Sequence, residues 1–326
     1  MKNDPLPLNE RAAQILLDIL PNSNVPVLCS DAVWPIRPRP HLSQWQRRSG
    51  TATDFTVWDK TYAAALLGLP RAREELTMNL HFAAARLLPD APLVLFGLKD
   101  AGIAAAERVL QDLFVNVTLA LTKFHGRVFI ARTPRTEQLI DGVDDWRRAN
   151  TVNLLGKEVS LVSFPGLFAE GMLDSATALL MAQLSSMPAP KIVLDYACGT
   201  GVLALAAQQL WPEARLHLLD HDALALRAAR WNIGRGEAHE AEYVQAENMA
   251  ACSARYDLIV SNPPIHLGVI QNYDVVEQLV MDAPNYLARG GKLVLVTQKT
   301  VPVQRWAKNA TVIAQEEAFK VWVVTA

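Results

Sequence analysis

The stretch KIVLDYACGTGVLALAAQQL, residues 191–210, decides how the chain is read. Lys191–Asp195 is a short apolar run that ends on an acid. Val202–Leu210 has the apolar spacing of a helix, and Pro212 stops it. Gly199 and Gly201 stand between the two. A strand that turns into a helix across two glycines opens a parallel α/β unit. Glycine there lets the backbone approach a ligand closely, and the helix start offers N–H groups.

Outward from this unit the alternation continues. Arg215–Leu219 predicts a strand ending at Asp220, and Ala223–Asn232 a helix. Glu242–Gln245 predicts a short strand, and Tyr256–Ser261 a buried one that runs into Asn262-Pro263-Pro264. Val275–Leu287 predicts a helix, Gly290-Gly291 a turn, and Lys292–Thr297 a strand. From Thr311 to Ala326 there is no room for another crossover helix, so a terminal hairpin with one antiparallel strand is expected. Upstream, Gly156-Lys157 reads as a hairpin turn. Phe164-Pro165-Gly166-Leu167-Phe168 reads as a rigid apolar segment before a helix from about Asp174. The expected fold is α/β, a mostly parallel sheet covered on both faces.

The first half echoes the second. NLHFAAARLLPDAPLVLFGLK, ending at Lys99, parallels LVMDAPNYLARGGKLVLVTQK, ending at Lys299. KFHGRVFIA (Lys123–Ala131) likewise parallels FKVWVVT (Phe319–Thr325). This predicts one domain used twice, residues 1–149 and 150–326, as two tandem Rossmann-like copies. The first copy is degenerate. Its opening strand, Val25–Ser30, leads into Asp31-Ala32-Val33-Trp34-Pro35 with no glycine loop, and it has no Asn-Pro-Pro.

Composition sets the limits. At 326 residues, 51% apolar and 20% charged, the chain has length for about two domains and apolar content for a core in each. A net charge of −2 excludes a strongly basic nucleic-acid binder at whole-chain level. Residues 1–150 hold 18 basic and 16 acidic residues, and the remainder is net −4. Cys29, Cys198 and Cys252 lack paired spacing, which excludes a disulfide framework and a cysteine zinc site. No apolar run approaches the roughly 20 residues of a membrane helix. Residues 1–10 read as no targeting peptide. A cytoplasmic protein without metal or membrane partner, acting as a monomer, is expected.

Three features carry chemistry. Asp195 precedes the glycine loop. Asp220, 21 residues after Gly199, ends the next strand, where an acid can accept both hydroxyls of a ribose. Asn262-Pro263-Pro264 follows the fourth strand. All three fall at the carboxyl ends of strands, where open parallel sheets bind ligands. Each has a plainer explanation when taken alone. Gly199-x-Gly201-x-x-Ala204 also matches a dinucleotide fingerprint, Asp220 is an ordinary strand-end acid, and Asn-Pro-Pro is a plain turn. A nicotinamide oxidoreductase, however, does not call for the acid before the first glycine together with the Asn-Pro-Pro.

Asp-x-x-Cys-Gly-x-Gly followed by Asn-Pro-Pro resembles the S-adenosylmethionine-dependent methyltransferases of planar nitrogens. With Phe164–Phe168, Leu173-Asp174, VLDYACGTGVLA, SNPPIH and the closing FKVW, the chain is similar over nearly its whole length to the ribosomal RNA small subunit methyltransferase C family. The resemblance implies two methyltransferase-like domains, the first degenerate, and methylation of guanine N2 in ribosomal RNA or a ribosomal subunit particle. It implies that Asp195, Gly199 and Gly201 hold the methionine end of S-adenosylmethionine, with Cys198 also in the cofactor site, that Asp220 takes the ribose, and that Asn248 lies near the adenine. It implies that Asn262 and the carbonyl of Pro263, stiffened by Pro264, accept hydrogens from the target amine. Such an amine is a poor nucleophile because its lone pair is delocalised into the ring. Two preorganised acceptors favour a more tetrahedral nitrogen whose lone pair points at the methyl donor. A base within a helix must first be flipped out.

The sequence departs from that family at a few positions. Ile265 stands where an aromatic is usual, so the substrate base loses a stacking face worth about 1–3 kcal/mol. His266 follows, as a candidate substrate contact. Ala176 replaces a glycine, and Tyr196-Ala197 replaces a smaller pair. Basic residues interleaved with aromatics suit RNA. Arg37, Arg39, Arg47 and Arg48 lie among Trp34, His41 and Trp45, and Arg132, Arg135, Arg147 and Arg148 form a second group. Two rival readings remain at this level. One is a cofactor-independent RNA-binding assembly factor. The other is a methyltransferase on adenine N6 or on a protein glutamine.

Overall fold

The computed structural model describes residues 27–30, 42–45, 61–123, 125–234, 241–264, 266–267, 270–271 and 273–325. Among the described residues the chain forms two compact units, one ending at Arg147 and one beginning at Arg148.

In the first unit, β1 (Val27–Ser30), β2 (Leu42–Trp45) and β3 (Ala64–Gly68) precede helix α1 (Arg73–Ala84). Then come β4 (Leu93–Leu98), α2 (Ile103–Leu113), β5 (Phe114–Lys123) and β6 (Gly126–Pro134). The sheet order is β2-β1-β3-β4-β6-β5. The pairs among β1 to β4 are parallel, and β6 runs antiparallel to both β4 and β5. Helix α2 buries Ile103, Ala106, Val109, Leu110 and Leu113, the stripe that its period requires.

The second unit opens with the hairpin β7 (Arg148–Leu154) and β8 (Lys157–Ser163), then α3 (Ser175–Leu184). It continues through β9 (Ile192–Tyr196), α4 (Val202–Leu210), β10 (Arg215–Asp220), α5 (Ala223–Ile233), β11 (Ala241–Gln245) and β12 (Tyr256–Ser261). After β13 (His266–Leu267) and β14 (Ile270–Gln271) come α6 (Asp274–Tyr286), β15 (Leu287–Gln298), α7 (Val303–Trp306), β16 (Thr311–Glu316) and β17 (Phe319–Thr325). The main sheet has the order β11-β10-β9-β12-β15-β17-β16. Only β17 runs against its neighbours, through the terminal hairpin.

The internal repeat is visible in these orders. Remove β11 from the second sheet, and β10-β9-β12-β15-β17-β16 matches β2-β1-β3-β4-β6-β5 strand for strand and direction for direction. The two echoes in the sequence fall on corresponding strands, β4 with β15 and β6 with β17.

The second sheet is covered on both faces, which is why its strands read as unbroken apolar runs. Alternation still sorts the side chains. Leu293 and Leu295 join Val276, Leu279 and Ala283 of α6 on one face, and Val294 and Val296 join Leu180 of α3 and Ala204 of α4 on the other. Because α4 and α5 cover one face and α6 the other, the chain reverses its winding between β9 and β12. Ligands bind at such switch points.

Several local expectations change. Gly290-Gly291 is a bulge inside the 12-residue β15, not a turn: Gly290 has φ +76° and the β12–β15 register slips between Tyr256 and Leu258. A Cβ at Gly291 would lie 2.6 Å from the Tyr256 carbonyl oxygen, so a larger residue does not fit. The hairpin turn is Leu155-Gly156, with Lys157 already in β8; φ is +52° and +85° at the two positions, as tight strand reversals need. Phe168–Gly171 forms a short 3-10 turn in which Ala169 and Glu170 both adopt left-handed backbone. The helix expected at Val275–Leu287 sits one residue earlier. Of the strand expected at Val25–Ser30, Val27–Ser30 is seen, and residues 25 and 26 lie outside the described residues.

Candidate active site

Register places the three chemical features side by side. Asp195 pairs with Leu218 of β10 on one side and Val260 of β12 on the other. Asp220 therefore ends β10, and Asn262 follows β12, at the same edge of the sheet. The Ser261 hydroxyl donates to the Tyr196 carbonyl at 2.7 Å, which joins the ends of β9 and β12.

Asp195 is 1% exposed. Its Oδ2 accepts from the Ala204 N–H at 2.9 Å, in the first turn of α4. Its Oδ1 is buried, with no hydrogen-bond partner among the described residues. Burial, and then the nearby Asp220 carboxylate, push its pKa up to about 8, against the pull of the Ala204 bond. An orphaned buried carboxyl oxygen of this kind suits an incoming cation such as an ammonium, which would displace the proton that burial keeps on the group.

The glycine loop is closed on itself. Cys198 N–H donates to the Leu219 carbonyl (3.0 Å) and Gly201 N–H to the Cys198 carbonyl (2.8 Å). Gly199 N–H donates to Asp220 Oδ2 (2.8 Å). The sequence suggested N–H groups open to a ligand, but those of residues 198, 199, 201 and 204 are all engaged. Asp195 fills the helix start where a dinucleotide fold puts pyrophosphate, which argues against the nicotinamide alternative. Two glycines are needed for different reasons. Gly201, at φ +76°, sits 3.0 Å from Ala229 Cβ and 3.1 Å from Leu218 Cδ2, measured from the position of an added Cβ. Gly199, at φ +54°, has no atom within 4 Å of such a Cβ, which leaves the backbone open to a ligand.

The remaining candidate residues fall into place around this loop. Asp220 Oδ1 accepts from Asp222 N–H at 2.8 Å, so each oxygen holds one backbone bond and keeps lone-pair capacity. Asn248 caps a short 3-10 turn, accepting from Ala250 N–H at 3.0 Å. The loop of Asn248 is held by the Tyr196 hydroxyl, which donates to the Glu247 carbonyl at 3.2 Å. Burial, with Asp282 and Asp220 nearby, pushes that phenol up to about 12. Cys198 packs in the core with Leu203 and Ala204, and burial raises its thiol well above the usual range, so it stays a neutral thiol. Ala197 adopts φ +55°, a conformation that favours glycine.

Asn262 is half-buried, Pro263 buried and Pro264 exposed. Asn262 Nδ2 donates to Thr177 Oγ1 at 2.9 Å and to Asp174 Oδ1 at 3.3 Å. His266 begins the small β13–β14 hairpin, and Ile265 lies outside the described residues. Asp174 is the N-cap of α3, accepting from Ala176 N–H (3.0 Å) and Thr177 N–H (3.1 Å).

Sequence reasoning missed Asn232. It is 3% exposed in α5, accepts from Val162 N–H at 2.7 Å, and donates to the carbonyls of Val162 (3.0 Å) and Thr200 (2.8 Å). It ties β8 to the glycine loop. The signal was an amide on the apolar side of a helix. Residues 34, 37, 39, 41, 47 and 48 of the first basic group lie outside the described residues, as does the side chain of Trp45. In the second group, Arg132 donates to the Asp90 carbonyl at 2.6 Å. No cluster of three metal-ligating side chains and no helix long and apolar enough to cross a membrane occurs among the described residues.

A sheet in this order, with a buried acid and an Asn-Pro-Pro on adjacent strand ends, defines a Rossmann-like methyltransferase. Residues 158–323 match the methyltransferase small domain family. The chain is 33% identical over 276 residues to the ribosomal RNA small subunit methyltransferase C of Ectopseudomonas mendocina (strain ymp), covering 82% of this chain and 81% of that protein. The Pseudomonas aeruginosa (strain LESB58) protein of the same name is 31% identical over 265 residues, 80% and 78% of the two chains. The chain belongs to the ribosomal RNA small subunit methyltransferase C family. Its fold also matches the solved 16S rRNA N2 G1207 methyltransferase of T. thermophilus in complex with AdoMet and guanosine. The TM-score is 0.81 at 20% identity, over 99% of this chain and 93% of that one.

Proposed function

We propose that this chain transfers a methyl group from S-adenosylmethionine to the exocyclic N2 of a guanine in ribosomal RNA. The observation that carries the proposal is the pairing of two features on neighbouring strand ends. Among the described residues, Asp195 Oδ1 and the Asn262 carboxamide oxygen have no hydrogen-bond partner. Family membership supplies the rest.

S-adenosylmethionine, when bound, supplies a methyl group on a positively charged sulfur. Asp195 takes the ammonium end through Oδ1, its missing partner. Bare backbone at Gly199 admits the ligand, Asp220 accepts from the ribose, and Asn248 borders the adenine through its remaining N–H groups. Asn262 Oδ1 and the Pro263 carbonyl accept the two hydrogens of the target amine and draw the nitrogen toward a tetrahedral geometry. Proline at 263 and 264 limits backbone freedom, so the acceptors need little reorganisation during the reaction. In the transfer the N–C bond would form as the S–CH3 bond breaks, S-adenosylhomocysteine would leave, and the surplus amine proton would pass to solvent, with no covalent bond to the enzyme.

The substrate is ribosomal RNA, naked or in a subunit particle, met in the cytoplasm by a monomer. The first unit, residues 1–149, guides RNA or supports the second. Mass mapping of methylated guanines in ribosomal RNA, with and without the protein, tests the reaction. One N2-methylguanine that depends on the protein is the expected result. An unchanged map, with RNA binding that ignores the cofactor, would turn the reading to an assembly factor.

A further inference from the structure

A carboxamide has two ends of nearly equal shape, and only its neighbours decide which one faces a substrate. At Asn262 those neighbours lie 85 and 88 residues away in sequence, on α3. Nδ2 is 2.9 Å from Thr177 Oγ1, and 3.3 and 3.5 Å from the two Asp174 oxygens. A carboxylate only accepts, so the end facing it is the N–H2 end. The Thr177 hydroxyl donates to Asp174 Oδ2, so toward Asn262 it offers only lone pairs. Every partner of Nδ2 is therefore an acceptor on α3. Oδ1 has no hydrogen-bond partner among the described residues. Asp174 is itself held in place by the backbone N–H groups of Ala176 and Thr177.

We infer that Asp174 and Thr177 are positioning residues that set the polarity of Asn262, so the site offers only oxygen to the base edge and selects a hydrogen-donating amine over a ring carbonyl. This deepens, and rests on, the reading of the chain as a base-amine methyltransferase. Released from Asp174, the amide can turn its N–H2 outward. Two donors would then face the amine, which opposes both binding and pyramidalisation.

The test uses the full-length protein with S-adenosylmethionine and ribosomal RNA, with kcat and KM measured separately. Asn is about as good an N-cap as Asp, so Asp174→Asn keeps the start of α3 while placing a donor against Asn262. Its kcat is expected to fall about 10- to 100-fold, the equivalent of one hydrogen bond to a charged group. Melting temperature and cofactor affinity should stay unchanged. Asn262→Asp alone sets two carboxylates together and also loses rate. The double variant Asp174→Asn/Asn262→Asp restores a donor–acceptor pair with an oxygen facing outward, and should recover most of either loss. Thr177→Ser should retain rate, and Thr177→Val should lose it.

Nuclear magnetic resonance reads the same polarity without turnover. The Asn262 side-chain amide protons should exchange slowly in the wild type and fast in Asp174→Asn. Unchanged kcat in Asp174→Asn overturns the inference. A double variant no better than the weaker single overturns it too, as does a loss of rate that only tracks melting temperature. A wild type that methylates no RNA yet shows the slow Asn262 amide would sink the functional reading and leave the positioning intact.

Discussion

Adding one methyl group at Gly201, and the same methyl at Gly199, separates packing from ligand access in a single loop. At Gly201 a Cβ meets Ala229 Cβ at 3.0 Å, Leu218 Cδ2 at 3.1 Å and Ala229 Cα at 3.3 Å, on backbone at φ +76°. The left-handed conformation costs an L-residue about 1–2 kcal/mol. Crowding in a packed core adds about 1–3 kcal/mol. Restriction of the unfolded chain returns about 0.4–1 kcal/mol. Gly201→Ala should therefore destabilise the protein by about 1–4.5 kcal/mol, a fall of about 2–18 °C in Tm. At Gly199 the conformational cost is similar, at φ +54°, but no atom lies within 4 Å. Gly199→Ala should cost no more than about 1.5 kcal/mol in stability. It should nevertheless weaken S-adenosylmethionine about 10- to 100-fold, because the methyl occupies the approach to the backbone. Urea melts followed by circular dichroism, with calorimetric titration of the cofactor, measure both quantities. Full cofactor affinity in Gly199→Ala, or wild-type stability in Gly201→Ala, would refute this account of the loop.

Burial holds the Asp195 carboxyl at about 8, against about 3.9 in an unfolded chain. Between those values the folded chain keeps a proton that the unfolded chain has released, so this group's contribution to stability falls as pH rises from about 4 to 8 and is constant above. Asp195→Asn should flatten that slope in urea melts between pH 5 and 8.5 and lose cofactor binding; equal slopes would count against it. Asn232→Ala leaves two Val162 groups and the Thr200 carbonyl without partners. A loss of about 3–5 kcal/mol is expected by urea melts, and a loss below about 1 kcal/mol would contradict the bridging role. Ala197→Gly relieves the φ of +55° and should stabilise the protein by up to about 1 kcal/mol, read by the same melts.

Features set by neighbours along the chain were legible in advance. Helix α4 begins at Val202 and ends at Leu210, as its apolar spacing and Pro212 require. The terminal hairpin, and the repeat between β4 and β15, came from runs of a few residues each. The glycine pair 290–291 misled because bulges and turns use the same residue. Only the closeness of the Tyr256 carbonyl tells them apart. The loop at 198–201 looked ready to donate to a ligand, yet the N–H groups of Cys198, Gly199 and Gly201 answer to Leu219, Asp220 and Cys198.

The sequence by itself determined the alternation of strands and helices from Lys191 to Thr297, the terminal hairpin, the duplication, and the choice of Asp195, Gly199, Asp220 and Asn262 as the residues of interest. Periodicity and short motifs are local, and they survive without coordinates. Only the tertiary structure decided which oxygen of Asp195 lacks a partner, which glycine packs and which admits a ligand, and which end of Asn262 faces outward. Those facts rest on hydrogen bonds and contacts between residues tens of positions apart, such as Asp174 with Asn262 and Asn232 with Val162. No spacing rule connects such pairs, because the sheet brings them together only once every strand is in register.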